Sequence, residues 1–306
     1  MMKINKNATH QGKQNSVLSK VTKNIPGWAL LLPTVLLFVL IVWRPICMAF
    51  YYAFFDMRGI QIISFAGLEN FKDVLTDTAF IQTLINTVKY VAWSLIIGLP
   101  LPFFVAVMLN EMICFKGYFK TTAYLPVLIP SIATCLIWRM IYIGGNGGLL
   151  NMVLENFGVG PIDWLNEKGL VIPLIVVSMT WQSFGGSMIM YLASLQSVDQ
   201  SLYEAARLDG AKFFQRFRYV LFPHMRGILI LLAIRQIIGV FQVTEQPLVM
   251  TGGGPNGASM SLGLTNYFYA FKFGQMEKSM ALGVVCFIML FGLTFLYFKL
   301  DRKINE

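Results

Sequence analysis

The residues whose types and spacing suit a specific task fall in two stretches. The first is Ser201-Leu-Tyr-Glu-Ala-Ala-Arg-Leu-Asp-Gly-Ala211, which runs on to Phe222-Pro223. Ser201 followed by Glu204 has the spacing of a capping box, so a helix is expected to start there. Glu204, Ala205, Ala206, Arg207 and Leu208 favour helix. Asp209-Gly210 then supplies a residue able to take positive φ and end it. A second, amphipathic helix is expected, with Phe213, Phe217, Val220 and Leu221 on one face and Lys212, Arg216 and Tyr219 on another. Pro223 is expected to close that helix. A short helix, a tight turn and an amphipathic helix make a docking element; amphipathicity alone also suits a connector lying on lipid headgroups.

The second stretch is a set of polar and aromatic residues inside apolar runs. Trp181, Gln182, Ser183, Gly185 and Gly186 lie in one run, and Gln236, Phe241, Gln242 and Glu245 in another. Amides pair with hydroxyls and an indole face stacks on a pyranose ring, so this set suits an uncharged carbohydrate. Helix packing accounts for it equally well, with glycines admitting a close neighbour and glutamines tying helices together.

Residues for bond-making chemistry are scarce. The only histidines are His10 and His224, and neither His-Glu-x-x-His nor Gly-x-Ser-x-Gly occurs. Cys47, Cys114, Cys135 and Cys286 fall in or beside apolar runs without paired or metal-type spacing. The Gly252-Gly253-Gly254 run has no Gly-Lys-Ser/Thr after it, so it is an external turn and not a phosphate loop. No metal or cofactor is expected on this chain. Intramembrane acids are nearly absent apart from Glu245, and two related halves are not evident. Both observations speak against an ion-coupled carrier working alone.

These stretches must be positioned by a membrane bundle. Of 306 residues, 56% are apolar and 13% charged, and the mean hydropathy is +0.63, too little charge to cover a soluble surface. Runs of about 20 apolar residues give six expected spans, at 28–54, 84–109, 120–143, 170–195, 227–250 and 280–298. Residues 1–27 and 299–306 are expected as tails, and 28–298 as one membrane domain. The net charge of +9 is a topology signal and not a nucleic-acid face. Fifteen Lys and Arg residues fall in the two tails and the loops around 110–119 and 196–226, against five in the other loops. The positive-inside rule then puts both termini in the cytoplasm. The apolar run after Pro26 is too long for a signal-peptide core, so it is expected to remain as an anchor. Arg44, Lys89 and Arg139 are expected to snorkel. Arg235, deeper in its run, is expected to face protein or water; Glu245 is a candidate partner, but ten positions along one helix is too far for direct contact, and a residue of another subunit is an equal alternative.

Glu204-Ala205-Ala206, Gly210, Val220, Phe222 and Pro223 together resemble the EAA loop of binding-protein-dependent ABC import permeases. Val220 and Phe222 stand where that family usually has Ile and Leu, and Gly227 where a final Pro is common. The segment Phe241 to Thr251-Gly-Gly-Gly-Pro255 resembles the sugar branch, as do Phe65 to Phe71, Leu125-Pro126 to Trp138-Arg139, and Gly148 to Asn151. The likeness covers nearly the whole chain and is greatest to oligosaccharide permeases of Gram-positive bacteria. It implies an all-α, six-span type I importer permease of the cell (inner) membrane. The implied partners are a second, homologous permease, two ATP-binding subunits carrying the ATP and Mg, an extracellular solute-binding protein and a carbohydrate. It also implies that Glu204, Ala205, Ala206, Asp209, Gly210 and Pro223 contact and hinge on the ATPase. Ligand contacts are implied near Met179, Gly186, Gln236, Val240 and Val243.

Overall fold

Proline placement explains much of how this chain is built. The computed structural model describes residues 25–305, so the expected tail up to residue 24 and its lysines lie outside the described residues. The chain divides into two units, one ending at Tyr52 and one beginning at Ala53. The first unit is α1 (Ile25–Phe38) and α2 (Arg44–Tyr52), joined by a π-helical turn, Val39–Trp43. It is apolar on every side, and its large side chains are exposed. A helix of that kind belongs in lipid or against another apolar surface.

The second unit opens with an antiparallel hairpin, β1 (Phe55–Arg58) and β2 (Gln61–Phe65), in which Phe55 faces Phe65 and Arg58 faces Gln61. The all-α expectation missed it. Gly59, at φ +63°, turns the chain, and Asn70 Nδ2 donates to the carbonyls of Ala53 (3.1 Å) and Phe55 (3.0 Å), pinning the hairpin to α3 (Glu69–Thr76).

The bundle follows. α4 (Thr78–Trp93), a π turn (Ser94–Gly98) and α5 (Pro100–Glu111) form one span, Thr78–Glu111. α6 (Lys116–Tyr124) and a 3-10 turn (Leu125–Leu128) meet α7 (Ser131–Ile141) at a bend of 98°. The straight span expected over 120–143 is therefore broken. Pro130 forces Ile129 out of the helical region, and Ile129 adopts ψ 131°. After α8 (Leu149–Glu155) comes the straight α9 (Val171–Gln196), then α10 (Gln200–Leu208), α11 (Phe213–Arg216), a π turn (Phe217–Leu221) and α12 (Phe222–Phe241). α13 (Glu245–Thr251), α14 (Leu262–Tyr267), a π turn (Phe268–Lys272) and α15 (Met276–Asn305) complete the order. Among the described residues five helices are long and apolar enough to cross a membrane, and the bent pair makes a sixth if it counts as one crossing.

Two expectations about span five are corrected. Pro223 does not close the amphipathic helix: residues 214–241 form one continuous helix. Proline lacks an N–H and clashes with the carbonyl four residues back. Here a π turn precedes it, and the Phe222 N–H bonds back to the Phe217 carbonyl. The same device precedes Pro45, with Arg44 N–H to Val39 O, and Pro100, with Leu99 N–H to Ser94 O. The wider turn gives the ring room without ending the helix. The span also ends at Phe241 and not near residue 250, so Gln242 lies beyond it and Glu245 opens a separate helix.

Packing centres on α9, which serves two clusters. One joins Met188, Tyr191, Leu192 and Leu195 to Phe103, Ala106 and Val107 of α5 and to Leu221, Met225 and Leu232. The other joins Val171, Ile172, Ile175 and Val176 to Tyr90, Cys135, Val240, Val243 and Met250. At Gly185 of α9 a neighbouring backbone comes close: a Cβ there would lie 2.5 Å from Tyr124 Cα. Small residues at such crossings let helix backbones meet.

Candidate functional site

The knob at residues 199–221 is built by its caps. Asp199 Oδ1 accepts the Ser201 N–H at 2.9 Å, so α10 starts two residues earlier than a cap at Ser201 would place it. That bond holds the Asp199 carboxyl below its usual value. Aspartate is as good a cap as serine, and it stands first in the chain. At the far end the Ala211 N–H bonds to the Ala206 carbonyl at 3.0 Å across Gly210, which has φ +76°. This six-to-one bond around a left-handed residue is the Schellman closure. Asp209 donates its N–H to the Ala205 carbonyl at 2.9 Å. Lys212 N–H then donates to Gln215 Oε1 at 2.7 Å, opening the next helix.

Glu204, Ala205, Asp209, Gly210 and Pro223 are exposed, and Ala206 is half-buried. Large apolar side chains share that surface: Leu208 is 89% exposed, Phe214 79% and Tyr219 76%. The sequence reading did not single out Leu208 or Phe214 for the outer surface. Of the apolar face expected on the second helix, Leu221 is buried and Phe217 and Val220 pack partly against the same cluster. Phe217 meets Phe103 of α5 with ring centroids 5.8 Å apart. Ser197 Oγ and His224 Nε2 share a hydrogen bond of 3.2 Å between the two chain ends of the knob. The knob thus has a free tip and a root set in the core of the bundle.

The interior polar residues are brought together around the broken span. Gln182 Nε2 donates to the Ile129 carbonyl at 3.2 Å, one of the backbone groups freed by the bend. Trp181 meets Trp138 edge to face at 5.9 Å, and Trp138 meets Tyr142 at 5.3 Å. Glu245 accepts a hydrogen bond from Ser131 Oγ, the first residue of α7. Gln236 lies against Gly98, where a Cβ would stand 2.9 Å from its Nε2 and 3.2 Å from Thr180 Oγ1. Gly186 has open space where a Cβ would stand. Phe241, Val240 and Val243 are buried packing residues, and Gln242 is exposed.

Among the described residues Arg235 does not meet Glu245, in keeping with their separation along the chain, and its Nη1 lies 3.4 Å from Met190 Sδ. Arg139 Nη1 reaches the Val249 carbonyl at 3.5 Å. Ser131, Trp138 and Thr180 were missed by sequence reading. The pair Pro126 and Pro130, which marks a broken helix, was the signal that pointed to the first two.

A protein-family model described as the inner membrane component of binding-protein-dependent transport systems matches residues 98–306. The chain belongs to that family. The matched region contains both the 199–221 knob and the 241–255 segment. The chain is 29% identical over 277 residues to the trehalose/maltose transport system permease protein MalF of Thermococcus litoralis, covering 90% of this chain and 93% of that one. It is likewise 29% identical over 272 residues to the arabinooligosaccharides transport system permease protein AraP of Bacillus subtilis, covering 88% and 86%. Among solved structures, a chain of a bacterial ABC transporter that imports the acidic polysaccharide alginate matches with a TM-score of 0.82. Its sequence identity is 21%, over 95% of this chain and 99% of that chain. This permease is therefore a multi-pass component of the cell membrane with an importer-permease fold.

Proposed function

We propose that this permease crosses the membrane six times with both termini in the cytoplasm, passes a carbohydrate, and is driven through the coupling loop at 199–225, of which the knob at 199–221 is the protruding part. A second permease of the same family completes the pathway, two separate subunits bind and hydrolyse ATP with Mg, and an extracellular binding protein delivers the sugar. The observation that carries the reading is the knob: a capped helix with an exposed small-residue surface, hinged at Gly210 and rooted in the bundle core through Phe217 and Leu221. The alanines let the helix enter a groove closely, and the rigid root transmits force from an engine outside the membrane. Relatives whose names specify oligosaccharide, trehalose and maltose transport support the sugar assignment.

The six-span count draws support from parity. Lys278 Nζ lies 3.2 Å from Asp73, and Tyr269 donates to Asp77 at 2.8 Å. Residues 73–77 and 269–278 therefore share one side. Three unbroken spans and the bent pair lie between them, so an even number of crossings requires the bent pair to cross. In this reading Trp181, Gln182, Gly186, Gln236, Gln242 and Glu245 border the sugar path, with Phe241 shaping it from the packed side.

The test is uptake by cells carrying Gly210→Asp or Glu204→Lys. An aspartate at φ +76° is strained by about 1–2 kcal/mol, and the lysine reverses the charge at the docking surface. Uptake and substrate-stimulated ATP hydrolysis are expected to fall at least tenfold (about 1.4 kcal/mol of coupling) while membrane insertion is normal. Unchanged uptake refutes the coupling role.

A further inference from the structure

A groove of about 520 Å3 runs along one face of α12 beside the end of α15. Its α12 wall includes Arg226, Gly227, Ile230, Leu231 and Ile234, and Tyr297 and Phe298 form the α15 wall. The α12 residues recur at three- and four-residue steps, so they form one stripe on the helix. Gly227 leaves a notch in it, with no heavy atom within 4 Å of the place a Cβ would take. The stripe is apolar except at one end, where Arg226 makes no ion pair with any described residue.

Depth fits an amphiphile. α12 has 20 residues, about 30 Å at 1.5 Å per residue, close to the thickness of the hydrocarbon layer. Arg226 is the fifth of them, about 6 Å in from the start, and Ile234 is about 12 Å deeper. Tyr297 and Phe298 form the opposite wall and the exposed Lys299 follows them in the chain, an aromatic pair and a cation of the kind that sits at headgroup level.

We propose that this groove binds an anionic phospholipid, with its phosphate on Arg226 and an acyl chain along Gly227, Ile230, Leu231 and Ile234. An apolar helix from a partner subunit fits less well, because it would cover the guanidinium without supplying an anion, and burying an unpaired cation is costly. A phosphate supplies charge-assisted bonds instead. The site adjoins Pro223 and the π turn at 217–221, so a bound lipid braces the root of the knob. The cytoplasmic leaflet as the source, and any effect on coupling, rest on the proposed orientation and knob function. The lipid site itself does not.

The test is lipid retention by the assembled transporter, purified from membranes, delipidated in detergent and re-exposed to equimolar phosphatidylglycerol and phosphatidylcholine. Native mass spectrometry counts the lipid bound. Wild type is expected to retain phosphatidylglycerol preferentially, and Arg226→Gln to lose that preference by about tenfold, with Arg226→Lys keeping most of it. Gly227→Leu fills the notch and is expected to displace either lipid. Equal retention of both lipids by wild type overturns the proposal, as does a preference unchanged in Arg226→Gln. High-yield cross-linking of Gly227→Cys to the second permease, with no lipid retained, overturns it in favour of a protein partner. Loss of lipid preference with normal uptake leaves the knob function standing, and uptake loss in Gly210→Asp leaves the lipid counts unaffected.

Discussion

Neighbouring glycines with the same chemistry do different work here. Gly185 faces the backbone of Ala123 and Tyr124, whereas Gly186 faces open space. Gly185→Ala is expected to lower the thermal stability of the purified transporter, by about 1–3 kcal/mol of overpacking, and Gly186→Ala to stay within about 0.5 kcal/mol of wild type. A melting series on the two variants separates them. The glutamines divide in the same way. Gln182 answers a carbonyl that the bend has stripped of its helical partner, so Gln182→Leu leaves that acceptor unpaired at about 1–3 kcal/mol. Gln236 makes no such backbone bond, and Gln236→Leu is expected to raise the KM for sugar uptake with little change in melting temperature. A large stability loss in Gln236→Leu would assign it to packing. These roles follow from which side chain stands opposite, which spacing along the chain does not contain.

Prolines set the form of the elements without ending most of them. Three follow π turns inside helices that continue, at Pro45, Pro100 and Pro223. At Pro130 the span breaks instead, and there Ile129 is extended. The π turn at 217–221 adds one residue to a turn, so it sets the rotation of the knob relative to span five. With Pro223→Ala the turn is free to relax to α-helix, rotating α10 and α11 by about 100° about the span axis. That variant is expected to fold and insert but to lose most ATP-coupled uptake. Spin labels placed on the exposed Glu204 and on α9 would report the changed distance, and an unchanged distance would show the turn to be independent of the proline.

For the whole molecule, the deciding relation is between loops far apart in sequence. The Asp73–Lys278 ion pair and the Tyr269–Asp77 hydrogen bond bring together segments separated by most of the bundle. In a variant lacking the four native cysteines, Cys introduced at Asp73 or Lys278 is expected to react with an impermeant thiol reagent from outside the cell. Cys at Glu204 is expected to react only after the membrane is opened. Labelling of positions 73 and 278 from opposite sides would refute the even count of crossings. The first unit and the knob each expose large apolar side chains, a surface suited to lipid or to an apolar neighbour.

Composition and periodicity were enough to place this chain in a membrane, to locate spans one, two, four and six, and to mark Gly210 as a helix end. Those features depend on transfer of side chains from water and on local backbone sterics, which neighbouring residues determine. Only the tertiary structure decided that the third span is bent, that Pro223 lies inside a continuous helix, that Asp199 and not Ser201 caps the knob, and that Glu245 meets Ser131 instead of Arg235. Each of these is a choice among locally acceptable alternatives. A proline permits a kink, a break or a π turn, and a carboxylate accepts from whichever donor packing brings near. The balance is struck by groups up to 114 positions away in the chain.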